Sequence, residues 1–237
     1  LKNSANAALH TYSNGGYLAR KIAAQRHKLI NAFLEFKGSA GSETILDVGA
    51  ASSAFLEKGS DLQASIDGAE RSSITRCNVA VSPDKPWRIT GSENGQLSGQ
   101  LSGQILPYRD GQFDWVFCGE LIEHAGTNEH QLNLLRELAR VAKKGVFVTT
   151  ENKRHPIEFN TGLPLLHWLP DTLWRAQLRL LGKGEWASKW LLNPLGSDSL
   201  RQMAAQLPNC ASSNIGHMRL GGVKAHFFLM IRKAETI

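Results

Sequence analysis

Three short apolar runs, TILDVGA, FDWVFC and VFVTT, recur through the first 150 residues with helix-length stretches between them. Runs this short, rich in β-branched and aromatic side chains, suit strands buried on both faces. A parallel neighbour needs a crossover long enough to hold a helix, so this alternation constrains the chain to a parallel sheet covered by helices on both faces. One such helix is read over residues 17–36, where Leu18, Ile22, Leu29, Ile30, Phe33 and Leu34 recur opposite Arg20, Lys21, Arg26 and Lys28. A second opens with Asn128 and Gln131 as a capping box and carries Leu132, Leu135, Leu138 and Val141 on one side.

The remaining elements follow from turn chemistry and local pattern. SAFLEKG reads as a short helix, LQASID as a second strand ending on Asp67, and PWRITG as a third strand. The tandem GQLS repeat at 95–104 is too short and glycine-rich for a solenoid and reads as an extended loop. SLRQMAAQL reads as a late helix, and SNIGHMRLGG with KAHFFLMIRK as a closing hairpin through Gly221 and Gly222.

A 42% hydrophobic content is ample for a buried core and excludes wholesale disorder. Charge is unevenly placed: residues 1–150 carry 16 basic and 15 acidic side chains, whereas residues 151–237 carry 11 and 6. The basic last third suits an anionic substrate, a membrane surface or nucleic acid, or is simply a solvated face. Three scattered cysteines argue against a disulfide framework and suit a reducing cytoplasm. They lack the paired spacing of a zinc site, so no metal is expected. No secretory leader and no run of the roughly 18–20 apolar residues needed to span a bilayer is read.

Ligands of open α/β sheets bind outside the carboxyl ends of the strands. There the first strand delivers Asp47 and Gly49, the expected second strand Asp67, 20 residues after Asp47, the fourth Cys118, Gly119, Glu120 and then His124, and the fifth Thr149, Thr150, Glu151 and Asn152. An acid at the Asp67 spacing suits the two hydroxyls of a ribose. Each feature has a plainer reading: Asp-Val-Gly as a turn, Asp67 as a turn former, and His124 as a helix-capping or core-edge histidine.

The run Leu106–Thr150, LPYRDGQFDWVFCGELIEHAGTNEHQLNLLRELARVAKKGVFVTT, with ETILDVGA ahead of it, resembles the class I S-adenosylmethionine-dependent methyltransferases of the type 11 kind. The resemblance covers roughly residues 40–155. It implies a Rossmann-like, doubly wound, mostly parallel seven-stranded sheet with an antiparallel last strand. It also implies that Asp47, Gly49 and Ala50 line the methionine end of the cofactor S-adenosylmethionine, with Ser52 and Ser53 hydroxyls in reach. Asp67 is then expected on the ribose, and Cys118, Gly119 and Glu120 around the sulfonium. His124 is the first candidate base, with Glu151 and His155 behind it; alignment without any base is the competing reading. Two departures stand out: Ala51 and Ser53 replace glycines of the family's first loop, and Ser102 occupies the place of its adenine acid, for which Glu93 is the displaced candidate.

One domain is expected, with a helical segment over 1–40, a cofactor-binding core over 41–155, a helical Trp-rich cap over 156–197 and closing elements over 198–237. Trp168, Trp174, Trp186 and Trp190 interleave with Arg175, Arg179, Lys183 and Lys189 in that cap, a composition suited to a lid, a stacking site or a lipid headgroup layer. The expected activity is methyl transfer to a small molecule or a glycan or lipid precursor in the cytoplasm, with peripheral contact on the inner membrane face left open. The alternatives are a methyltransferase-like scaffold without activity, an RNA or protein methyltransferase, and a Rossmann-type dehydrogenase. Nucleic acid is not favoured, since no RNA-binding module is recognisable.

Overall fold

The computed structural model describes residues 17–38, 43–50, 62, 66, 73–92 and 104–234. Among these residues, seven strands form a single sheet: β1 (Ile45–Ala50), β2 (Ile74–Ala80), β3 (Arg88–Ser92), β4 (Phe113–Cys118), β5 (Ala142–Glu151), β6 (Cys210–Leu220) and β7 (Val223–Lys233). The helices are α1 (Tyr17–Lys37), α2 (Asn128–Val141), α3 (Asp171–Leu180) and α4 (Ser197–Ala204). The order across the sheet is β3-β2-β1-β4-β5-β7-β6. β1 pairs parallel with β2 and β4, and β4 with β5, while β7 runs antiparallel to both β5 and β6. This is the mostly parallel, doubly wound α/β sheet with a reversed last strand that the resemblance implies, with β3 reversed as well.

Alternate residues of the central strands serve opposite faces, as a two-residue period demands. Leu46, Val48, Val116, Cys118, Val146 and Val148 enter a core shared with α2, α4 and the segment after β5. Ile45, Trp115, Phe117 and Phe147 enter the other core, under Ile30 and Phe33 of α1. On that second face Phe33 meets Phe117 at 5.2 Å, and Phe117, Phe147 and Phe228 stack across β4, β5 and β7 at 5.9 and 5.2 Å. Burial on both faces is why these strands lack the polar alternation of a half-solvated sheet.

Three expectations are corrected. The strand beside β1 is ITRCNVA, not LQASID: Leu62 is helical and Ile66 lies in a bend, while Asp67 is outside the described residues. β3 forms where PWRITG was read, but antiparallel to β2, because the short link through Pro83 and Pro86 cannot hold a crossover helix. α2 starts at Asn128, yet its cap is Thr127, extended at φ −69 and ψ 167, with its hydroxyl 2.6 Å from His130 Nδ1. Gln131 is buried and donates instead to Asn193 O at 2.8 Å, so the Asn128–Gln131 capping box does not form. The closing hairpin is as expected, with Gly221 and Gly222 at φ 58 and 86, the backbone of a tight primed turn.

Two polar anchors fix the sheet's ends. Glu43, at the foot of β1, accepts from Trp115 Nε1 at 2.8 Å and Lys144 Nζ at 2.6 Å. Arg140 of α2 donates to Leu106 O, Tyr108 O, Asp110 and Glu137, so the LPYRDG and RELARV parts of the long motif are joined in space. The Trp-rich segment after β5, read as the cap, packs against the first core. Trp174 and Trp186 are buried with Leu178, Leu191 and Leu192 in the first core, and a bridge between Asn152 and Leu195 brings the segment back to β5.

Candidate active site

The sheet order switches direction between β1 and β4, and the crevice at such a switch lies beyond the strands' carboxyl ends. Val48 stands level with Cys118, where β4 ends, and Cys118 with Val148, so β1 and β5 run on past the end of β4. β1 contributes Asp47, fully buried with Arg76 Nε at 3.8 Å, followed by Gly49 and Ala50. On the other side of β1, Gly49 is level with Asn78 of β2. Cys118 brings only its backbone to the edge: its thiol lies in the core, where burial and nearby carboxylates push its pKa well above the usual value.

Past Gly119 the chain turns sharply at Glu120, which holds φ 46, and Glu120 N donates to Thr149 Oγ1 at 3.0 Å. A left-handed conformation is uncommon for a residue with a Cβ. Here it aims the carboxylate between Arg26 of α1, with Nε and Nη2 each at 3.0 Å, and His226 of β7, with Nε2 at 3.3 Å. Burial pushes Glu120 up, but these cationic and hydrogen-bonding partners outweigh it and hold the pKa at about 2. Among the described residues, His226 Nδ1 is buried without a hydrogen-bond partner.

Glu123 follows in the 3-10 turn Ile122–His124, 1% exposed. Its carboxyl accepts from Thr150 Oγ1 at 2.9 Å and faces Glu151 N at 3.4 Å. Burial, reinforced by the charge of Glu120, outweighs these hydrogen bonds and raises its pKa to about 7. Glu151, the last residue of β5, is level with His226 of β7. It is raised well above its ordinary value by burial and then by the charges of Glu158, Glu123 and Glu120. Asn160 of the cap donates to both Glu151 Oε2 and Glu158 Oε1, at 2.9 and 3.0 Å. Four carboxyls from three parts of the chain thus share one enclosure, with Arg26 and His226 against the first of them.

The two histidines expected near the chemistry have structural partners. His124 is 2% exposed, and its Nδ1–H donates to Leu191 O at 2.6 Å, which ties the β4 loop to the cap. Burial lowers its pKa, so the ring is neutral. His155 is buried, its Nδ1 turned onto the Ile157 backbone, and its ring stacks on Phe159 at 4.6 Å. Phe159 in turn stacks on His226 at 5.3 Å, so His155 reaches Glu120 only through that ladder of rings.

The structure therefore brings together Asp47, Gly49, Ala50, Gly119, Glu120 and Glu151 at the strand ends, with the Cys118 backbone. Ser52, Ser53, Asp67 and Glu93 are outside the described residues. Sequence reasoning missed Glu123, Arg26, His226, Glu158 and Asn78. Glu123 lay inside the quoted GELIEH run; the others come from distant segments that no local pattern links to it.

Residues 46–149 match the family described as "Methyltransferase domain". That match spans 104 of the chain's 237 residues, and over them the chain is similar to that family. Among solved structures, magnesium protoporphyrin IX methyltransferase from Synechocystis PCC 6803 with bound SAM is similar over 98% of this chain and 92% of that one, at 10% identity and TM-score 0.51. A SAM-dependent methyltransferase from Methanosarcina mazei is similar over 83% of this chain and 94% of that one, at 12% identity and TM-score 0.43. At 10% identity the likeness to the first is one of fold. No curated protein matches the chain. The matched stretch runs from β1 to Thr149 of β5, and so holds Glu120 and Glu123 but not Glu151 or the cap.

Proposed function

We propose that the chain is an S-adenosylmethionine-dependent methyltransferase whose acceptor loses its proton to the Glu123–Glu151 pair. The observation that carries this reading is the buried Glu123 carboxyl at the strand ends of the stretch that matches a methyltransferase domain, joined to Glu151 through the Thr150–Glu151 backbone; burial raises both carboxyls, Glu123 to about 7. A general base works best when its pKa lies near the working pH. When bound, the cofactor supplies an electrophilic methyl group. The chain's own residues then align the acceptor, exclude water and hold the proton that the acceptor releases.

The residues present fit such a cofactor. Glu120 is kept ionised beside an unpartnered His226 Nδ1, which suits a ligand with both cationic and hydrogen-bonding groups. Asp47, Gly49 and Ala50 are assigned to the amino-acid end, with Ser52 and Ser53 beside them and Glu93 toward the adenine. Asn78, level with Gly49, joins Asp67 as a candidate for the ribose hydroxyls, because an amide can both donate to and accept from them. His124 and His155 are assigned to positioning the cap rather than to proton transfer. The acceptor side is the enclosure between β5 and the cap over 156–197, and the acceptor a small molecule or a glycan or lipid precursor, handled in the cytoplasm.

Calorimetry of ligand-free protein with S-adenosylmethionine and with its demethylated product tests the reading. Saturable binding is expected, weakened about tenfold or more by Asp67→Ala or Asn78→Ala. No heat with either compound at millimolar concentration ends it and favours the inactive scaffold.

A further inference from the structure

Eight large apolar side chains are exposed among the described residues, and six of them, Leu165, Trp168, Leu169, Leu173, Leu180 and Leu181, fall within 17 residues of the cap. Scattered exposed leucines need no explanation, but a contiguous cluster does. These positions are not the cap's inner face turned out by chance. In α3, Trp174, Arg175 and Leu178 point inward, while Leu173 and Leu180, two turns apart, form the opposite ridge at 54% and 79% exposure. The 3-10 turn Leu166–Trp168 packs against α3 and adds Trp168 at 56% exposure, preceded by Leu165, which holds φ 60 at 50% exposure.

The charge around the ridge is net basic. Residues 153–190 contain six basic and three acidic side chains. Of the acids, Glu158 is buried and turned onto Thr161, and Asp171 is held by Arg175 and Lys189. Arg179 is exposed beside the Leu173–Leu180 ridge, and Lys153 and Arg154 are exposed where the cap leaves β5. We propose that this face of the cap docks on an anionic lipid bilayer, its leucines and Trp168 entering the headgroup boundary and its basic side chains meeting lipid phosphates.

The composition separates a bilayer from a protein partner. Leucine is under-represented at protein-binding hot spots, whereas leucine and tryptophan flanked by lysine and arginine are what interfacial segments use. The exposed leucines and Trp168 lie on α3 and the turn packed against it, and a fluid surface accommodates such a ridge without shape complementarity. No helix among the described residues is long and apolar enough to cross a membrane, so the contact would be peripheral. The proposal stands apart from the methyl-transfer reading, because binding to lipid is measured without cofactor or acceptor.

The test is flotation of the full chain with vesicles of phosphatidylcholine alone or mixed with phosphatidylglycerol, at low and high salt. Binding is expected to the anionic vesicles, to weaken at least tenfold in Leu173→Ser/Leu180→Ser, and to weaken with salt and in Arg179→Glu/Lys183→Glu. Brominated lipid should quench part of the tryptophan fluorescence, and Trp168→Phe should abolish that part. Thermal melts of every variant check that the fold is intact; should the serine pair unfold, the charge-reversal pair and the quenching still decide. Absence of wild-type binding to anionic vesicles overturns the proposal, as does binding that neither pair of substitutions changes. A self-associated wild type that the serine pair turns monomeric, with no vesicle binding, would assign the face to a second copy and also overturn it.

Discussion

Glu151 ends a strand with a carboxyl that burial and three neighbouring acids keep protonated well above the ordinary range, and Glu123 next to it titrates at about 7. Their apparent pKa values belong to the pair rather than to either residue. If the pair accepts the acceptor's proton, Glu123→Gln or Glu151→Gln should lower kcat by roughly 100-fold. The same variants should erase the limb of the pH–rate profile that rises near neutrality, with cofactor affinity nearly unchanged. His124→Asn should instead lower stability and leave the profile's shape alone, because it removes a bond to Leu191 O and not a proton acceptor. Wild-type kcat and an unaltered profile in both glutamine variants would mean that alignment alone suffices. At this scale Glu120 and Glu151 were legible as strand-end acids. Glu123 was not, since what perturbs it is burial, and His124, read as the first candidate base, is buried with its Nδ1 on Leu191 O.

Elements were legible where both faces of a strand are buried. FDWVFC became β4 and VFVTT the body of β5, because unbroken apolar runs leave little choice. β2 escaped because only alternate positions, Cys77 and Val79, go fully inside, while Arg76 and Asn78 keep the segment polar. The Trp-rich segment was legible as apolar and helical, but its internal tie was not. Arg175 is 6% exposed and joins Asp171 at 2.8 Å to the backbone oxygens of Ala187 and Leu192, at 3.0 and 3.2 Å. It thereby clamps α3 to the return strand of the cap. Arg175→Leu should cost roughly 1–3 kcal/mol, the penalty of leaving buried acceptors without charged donors. The loss should be local: limited proteolysis and amide exchange should speed up between residues 153 and 195, with β4, β5 and β7 still protected. If cap and sheet instead lose protection together, the cap is not a separable unit.

Across the whole molecule, stability couples to pH through carboxyls that the fold perturbs in opposite directions. Glu120, at about 2, lies below the ordinary value of 4.5, so its contribution is complete above pH 4.5 and is lost as pH falls toward 2. Glu123, raised to about 7, binds its proton more tightly folded than unfolded. Its contribution is complete below pH 4.5 and is lost as pH rises through 7. Glu151 acts in the same direction as Glu123. The two effects together place the most favourable point of this site near pH 4.5–5, with a decline toward neutrality, unlike a protein whose acids are all ion-paired at the surface. Denaturant midpoints measured between pH 5 and 8 should therefore fall with rising pH in the wild type. Glu123→Gln should flatten that fall and be more stable than wild type at pH 8 by on the order of 1–3 kcal/mol, with little difference at pH 5. The size of that gain at pH 8 measures what the fold gives up to keep an ionisable group buried in its site. A midpoint that rises with pH, or a glutamine variant parallel to wild type throughout, would show that the carboxyls reach water and that the enclosure beneath the cap is open.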